Sequence, residues 1–374
     1  MRPLLVALAM VVVSATVPSA VCRTGAAVWH DDAVDAQLAL GRGVAHWVDG
    51  ELEVGAFSTG DPLFDAEWLF GTYMMAAMGY GQVASGLASV DPRREEMLAR
   101  MDRCLLRLGD PDVTAFDTGK WGHAALDRLD GDEGHAAYLG YYGLALALRT
   151  ELGSHALEPR AEAIAAALAR RLASERVIET YPGERYPVDN AAGVAAIGLL
   201  AEAKGRPRPA VVATWLQHMD EALVDPDSGL LIQSMRASGR PLDAPRGSGT
   251  TLASYFVSFI DPTRAQALHT AAERALGDTV LGFGALREYP DGHQGQGDID
   301  SGPLIAGYSI SATGFALAGA KRYGDDERFA ELWATSRLFG IPRRRGRSLH
   351  FATGGPLGDA ILFAMLTARP REDL

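Results

Sequence analysis

The sequence predicts an all-α chain folded as an (α/α)6 toroid, a ring of six helical hairpins with long loops rimming one mouth. Three observations point there. Apolar residues recur at spacings of three and four through about twelve segments, with no strongly alternating strand between them. Most links between segments are short, so sequence neighbours form antiparallel pairs. The segments also divide into nearly charge-free ones and ones with a single charged face, as inner and outer layers of a ring require.

In chain order the helical segments are expected at 31–49, 64–88, 91–108, 133–150, 158–174, 189–204, 208–224, 248–260, 262–276, 303–323, 325–338 and 355–367. "DPRRE" from Asp91 and "DPTRA" from Asp261 each set an acidic cap before a proline in the first turn, where its missing N–H costs nothing. Gly205, Gly277 and Gly324 follow helical stretches as stop signals. "NAAGVAAIGLLA" from Asn190 and "SGPLIAGYSISATGFALAGA" from Ser301 are assigned to the inner layer, and "EPRAEAIAAALARRLASE" from Glu158 to the outer. Three connections are long, Gly109 to Asp132, Asp225 to Gly247 and Gly277 to Asp300, and are expected to rim the functional mouth.

The chain has 374 residues, 48% hydrophobic and 22% charged, enough for one large core. A net charge of -12 with interspersed signs argues against nucleic acid as a partner. The one basic cluster, "PRRRGR" from Pro342 to Arg347, reads as a solvated loop. Residues 1–22 carry one early arginine and then an uncharged run, the pattern of a signal peptide or N-terminal membrane anchor. The product is therefore expected to be exported, whether periplasmic, extracellular or membrane-anchored, with a single domain over residues 28–370. Cys22 at the end of the run fits a lipobox poorly, and Cys104 alone in the mature chain leaves no internal disulfide.

Polar groups gather at predicted inner-helix starts. They are Asp132, Glu133, His135 and Tyr138 in "GDEGHAAYLGYY"; Thr180, Tyr181, Tyr186, Asp189 and Asn190 in "ETYPGERYPVDN"; and Glu288, Asp291, His293, Asp298 and Asp300 in "EYPDGHQGQGDIDSG". In a ring of hairpins inner helices begin on one face, so these motifs should meet. Singly, Asp132, Asp189 and Asp300 also suit helix capping. Nine scattered histidines without a paired spacing give no metal site, and nucleophile-elbow, P-loop and dinucleotide fingerprints are absent.

The runs "GHAAYLGYYGLAL", "YPGERYPVDNAAGVAAI", "WLQHMDEALVDPDSGLLIQSM", "SFIDPTRAQALH" and "DIDSGPLIAGYSISATGFALAGAKRYGDDERF" resemble, in order and spacing, the linalool dehydratase/isomerase family over about residues 64 to 367. The resemblance implies an (α/α)6 barrel and cofactor-independent dehydration and isomerisation of an alcohol. It implies roles for His135 and Tyr73, with Thr180 and Asp189 standing where the family has cysteines. Asp61 or Asp65 are candidates for an N-terminal aspartate.

On that reading His135 and Asp189 are the acid and base, and Tyr73 and Tyr138 position the hydroxyl of a terpenoid-like alcohol or shield a cation. The alternative is a carbohydrate-active enzyme, a glycoside hydrolase, epimerase or lyase, with Asp189 paired to Glu288 or Asp132 across a cleft and Trp121, Tyr181 and Tyr186 stacking on sugar. A second alternative is a non-catalytic ligand-binding protein of the cell envelope. No cofactor is expected, the partner is a small molecule, and membrane attachment would run through the N-terminus.

Overall fold

The computed structural model describes residues 16–298 and 300–370. Its long helices, labelled α1 to α12 in chain order, are Val34–Val48, Pro62–Ser85, Pro92–Arg107, Ala136–Glu151, Glu158–Ser174, Pro187–Ala203, Ala210–His218, Gly247–Val257, Pro262–Leu276, Ile310–Arg322, Asp326–Gly340 and Gly355–Leu366. The even-numbered helices form the inner layer. Each packs on the next, α2 on α4, α4 on α6, α6 on α8, α8 on α10, α10 on α12, and α12 back on α2, which closes the ring.

Layer follows composition. α6 is buried at every position from Pro187 to Ala201, as a helix surrounded by others must be. α5 buries only the stripe Ala161, Ile164, Ala167, Leu168, Arg171 and Leu172, and shows its charges to water. Starts are capped as anticipated: Asp91 accepts from the Arg93 amide and Asp261 from the Arg264 amide.

Inner helices return to outer ones through short links at one end of the ring. Outer helices lead into inner ones at the other end through the long connections, so all six inner helices begin at one mouth. The predicted rim loops lie there. The first contains a short helix, Ala115–Trp121.

Three differences from expectation have local causes. Strands do occur: β1 Gly277–Val280, β2 Phe283–Arg287, β3 Leu304–Ile305, β4 Tyr308–Ser309, β5 Pro342–Arg345 and β6 Ser348–Phe351. They form an antiparallel sheet of order β1-β2-β4-β3 and a β5-β6 hairpin, and are too short for an alternating pattern to register. Residues 303–309 are a hairpin, because Gly302, Ala306 and Gly307 adopt positive φ, and helix begins only at Ile310. α7 stops at His218 and continues as one π turn, Met219–Leu223.

One contact sets the spacing of the mouth. A Cβ on Gly140 of α4 would stand 2.8 Å from the Asp189 carbonyl oxygen and 2.9 Å from the Gly193 amide nitrogen of α6. Only glycine allows these two backbones to approach so closely. Gly140→Ala should therefore cost about 1–3 kcal/mol by overpacking. Gly119→Ala, with open space around the new methyl, should cost nothing. Equal denaturation midpoints for the two variants would show that the close approach is not limiting.

Candidate active site

Asp189 lies in the first turn of α6, buried to 7% exposure. Tyr141, beside Gly140 on α4, donates to its Oδ1 at 2.7 Å, and the Thr180 hydroxyl donates to Oδ2 at 2.6 Å. The turn carrying Thr180 is pinned by Asn190, whose side-chain oxygen accepts from the Ile178 amide at 2.9 Å and whose amide donates to the Ile178 and Tyr186 carbonyls. The tight turn at Gly183 then returns the chain from Tyr181 to Glu184.

Two more carboxyl groups face Asp189. Glu67, near the start of α2, is pushed up to about 8, first by burial, then by Asp300 and Asp189, against the lowering influence of the Tyr181 hydroxyl and Lys120. Asp189 is pushed up to about 6 by burial, opposed by its Thr180 and Tyr141 hydrogen bonds. Asp300 is also raised to about 6, by its enclosure, then by Asp189 and Glu288, with Arg246 opposing. Water still reaches Asp300, so the like charges are the part of its rise that a solvated carboxyl retains. Near neutrality Glu67 holds a proton while the two aspartates are mostly ionised.

Aromatic and basic groups surround them. Tyr181 is 7% exposed, and the Lys120 ammonium lies 5.0 Å from its ring centroid. The Tyr186 hydroxyl donates to Glu184 at 2.8 Å. The Trp121 indole N–H donates to the Thr180 carbonyl at 3.1 Å, and the ring lies 4.4 Å from that of His135. A cavity of about 350 Å³ opens among the rim loops, lined by Asp243, Arg246, Tyr289, His293, Gln296 and Asp298 among others.

The remaining candidates fall elsewhere. His135 is fully buried, with Nδ1 2.7 Å from Asp117 Oδ2 and left-handed backbone at φ 49° where α4 begins. Its ring packs on Trp121, and Asp117, raised chiefly by burial, is its hydrogen-bond partner. Tyr138 donates to the Leu108 carbonyl at 3.0 Å, between layers. Tyr73 is buried with the Arg107 guanidinium 5.4 Å from its ring centroid, so it belongs to the α2–α3 interface. Glu288 accepts from the amide and hydroxyl of Ser248 and caps α8. Asp132 is exposed and Glu133 half-buried, its Oε1 3.8 Å from His123 Nε2. Asp61 caps α2, and Asp65 accepts from Thr59. Asp291 and His293 are exposed on the rim, where Asp298 pairs with Arg246. Among the described residues no group of three or more His, Cys, Asp or Glu forms a metal-holding cluster.

Glu67, Tyr141, Asp117 and Lys120 escaped the sequence reading. Glu67 had a signal, as the last charge before a long uncharged run in "DPLFDAEWLFGTYMMAAMGYGQVAS".

No family model matches the chain, and no curated protein matches it in sequence. Solved structures do. The α-1,6-mannanase GH76A of Salegentibacter sp. HEL1_6 aligns at TM-score 0.55 and 13% identity over 91% of this chain and 98% of its own. An inactive variant of that mannanase, with two consecutive aspartates changed to asparagine and α-1,6-mannotriose bound, aligns at 0.54, again at 13% identity over 91% and 98%. A family 76 mannosidase of Bacteroides thetaiotaomicron gives 0.48 at 10% identity, over 89% of this chain and 96% of its own. The two Salegentibacter likenesses establish the (α/α)6 toroid. They also overturn the resemblance to linalool dehydratase/isomerase, and the lyase and isomerase readings that rested on it fall with it.

The raised carboxyls carry a stability signature. Folded Glu67 titrates near 8 and an unfolded glutamate near 4.5, so between these values the native state binds more protons and stability falls as pH rises. Glu67→Gln removes that penalty. Its melting temperature should exceed that of the parent at pH 9 and converge with it below pH 5. A constant offset at both pH values would show that Glu67 does not titrate high.

Proposed function

We propose that the chain is a carbohydrate-active enzyme of the glycoside hydrolase type, cleaving a glycosidic bond at the mouth where the inner helices begin. The observation that carries this reading is the meeting of three carboxyl groups from separate elements, Glu67, Asp189 and Asp300, at one mouth. Glycoside hydrolysis needs one carboxylic acid to protonate the leaving oxygen and one carboxylate on the opposite side of the bond.

Glu67 is the general acid, because burial and the two aspartates keep it protonated at neutral pH. Asp300, which water reaches, is the base that activates the attacking water. Asp189, held by Tyr141 and Thr180, stays ionised and stabilises the developing oxocarbenium ion. Tyr181, Tyr186 and Trp121 supply faces for sugar rings, and the rim cavity lined by Arg246, Tyr289 and Asp298 has room for a further unit of the chain.

The mannotriose bound by the Salegentibacter variant makes α-1,6-linked mannose the first substrate to test. That variant is inactive through two adjacent aspartates. Among the described residues of this chain, adjacent aspartates occur at Asp31–Asp32 and Asp325–Asp326, before outer helices at the other end of the ring. Hydrolysis here rests instead on carboxyls from separate elements, two helices and a rim loop, so the linkage cleaved need not be the same.

Across a panel of oligosaccharides beginning with α-1,6-mannotriose, Glu67→Gln should lower kcat by about 10²–10⁴-fold. The parent's kcat/KM should be bell-shaped, rising near pH 6 and falling near pH 8. A Glu67→Gln enzyme retaining most of its turnover would remove the acid from this scheme.

A further inference from the structure

The basic hairpin β5-β6 is not used by the chemistry above. In a protein of net charge -12 it sets Arg343, Arg344, Arg345 and Arg347 together, all exposed. Concentrating like charges is unfavourable without a partner of opposite sign.

The same place carries exposed apolar side chains. Leu338 and Phe339 at the end of α11, and Ile341 just after it, are 44%, 52% and 44% exposed. Ile341 has left-handed backbone at φ 51°, which is costly for a β-branched residue. Here that conformation turns the chain out of α11 into the hairpin.

A third element joins them. Residues 16–23 are helical and lie along the C-terminal part of α11. Arg337 donates to the Val21 carbonyl at 3.0 Å and the Thr24 carbonyl at 2.5 Å, and Arg23 reaches Glu331 at 2.9 Å. Val17 and Val21 remain 48% and 54% exposed. The sequence preceding them, uncharged from Pro3 to Ala15, lies outside the described residues. Among the described residues no helix is long and apolar enough to cross a membrane.

The hairpin is rigidly mounted. A Cβ on Gly43 of α1 would collide with the Leu349 carbonyl oxygen, so β6 lies directly on that helix. Asp359 accepts from the Phe351 amide at 2.7 Å and from the Trp47 indole at 2.8 Å.

We propose that the β5-β6 arginines and the flanking Leu338, Phe339, Ile341, Val17 and Val21 form a docking surface for an anionic phospholipid bilayer. Arginines take the headgroup phosphates while the apolar side chains enter the interface, and the two contributions add. The hairpin links α11 to α12 at the mouth that holds the carboxyls, so docking sets that mouth close to the membrane. This surface does not depend on the reaction proposed above.

The test is co-sedimentation of the full chain with vesicles of phosphatidylcholine alone and of phosphatidylcholine with about one third phosphatidylglycerol. The parent should prefer the anionic vesicles by at least tenfold, and rising salt should erode the preference. The variant R343E/R344E/R345E/R347E, with unchanged thermal melting, should lose it, since each arginine near such a surface is worth about fivefold. F339S should weaken binding to both vesicle types. Equal binding to the two compositions, an undiminished preference in the variant, or full displacement by millimolar inorganic phosphate would each overturn the proposal.

Discussion

The backbone contact between α4 and α6 at Gly140 governs the site. It brings Tyr141 of one inner helix within hydrogen-bond distance of Asp189 on the next. Asn190, one residue on, pins the turn bearing Thr180 and Tyr181, so the groups around Asp189 are held from both sides. A methyl group on Gly140 would loosen all of these at once, because they share the distance between two helices.

Around this fixed point the protein keeps three carboxyl groups in an environment that disfavours their charge. Glu67 is raised furthest, first by burial and then by Asp300 and Asp189, against Tyr181 and Lys120; burial raises Asp189, and like charge adds to the rise of Asp300. Such an arrangement costs stability at neutral and alkaline pH. Other buried ionisable groups are paired: Glu288 accepts from Ser248, and Lys321, at the other end of the ring, donates to Asp32 and the Leu366 carbonyl. Asp189 has hydrogen-bond partners of its own in Tyr141 and Thr180, so Glu67, raised furthest, bears most of this cost.

The fold was largely legible because inner and outer helices differ in composition and because proline, aspartate and glycine punctuate the chain where helices start and stop. Segment 158–174 was read to the residue. Residues 303–309 form a hairpin where helix is expected, because two-residue strands carry no period. Candidate positions were legible only as neighbourhoods. "GDEGHAAYLGYY" does begin an inner helix at the mouth, yet His135 turns to Asp117 and Tyr138 turns outward to Leu108. Tyr141, three residues further along, is the one that reaches the carboxyl.

From the chain alone follow twelve helices, their layers, and the end of the ring at which polar motifs gather, since these depend on local periodicity and caps. Tertiary structure decided which side chains meet. Glu67, Asp189 and Asp300 are far apart in sequence, and their shared electrostatics arise only when α2, α6 and the loop before α10 are brought around one mouth. The same holds for the arginines of β5-β6, a solvated loop in sequence, which become part of a patch once residues 16–23 pack beside α11. Charge and apolarity are written in the residues, but their sum over a surface depends on distance, and distance belongs to the fold.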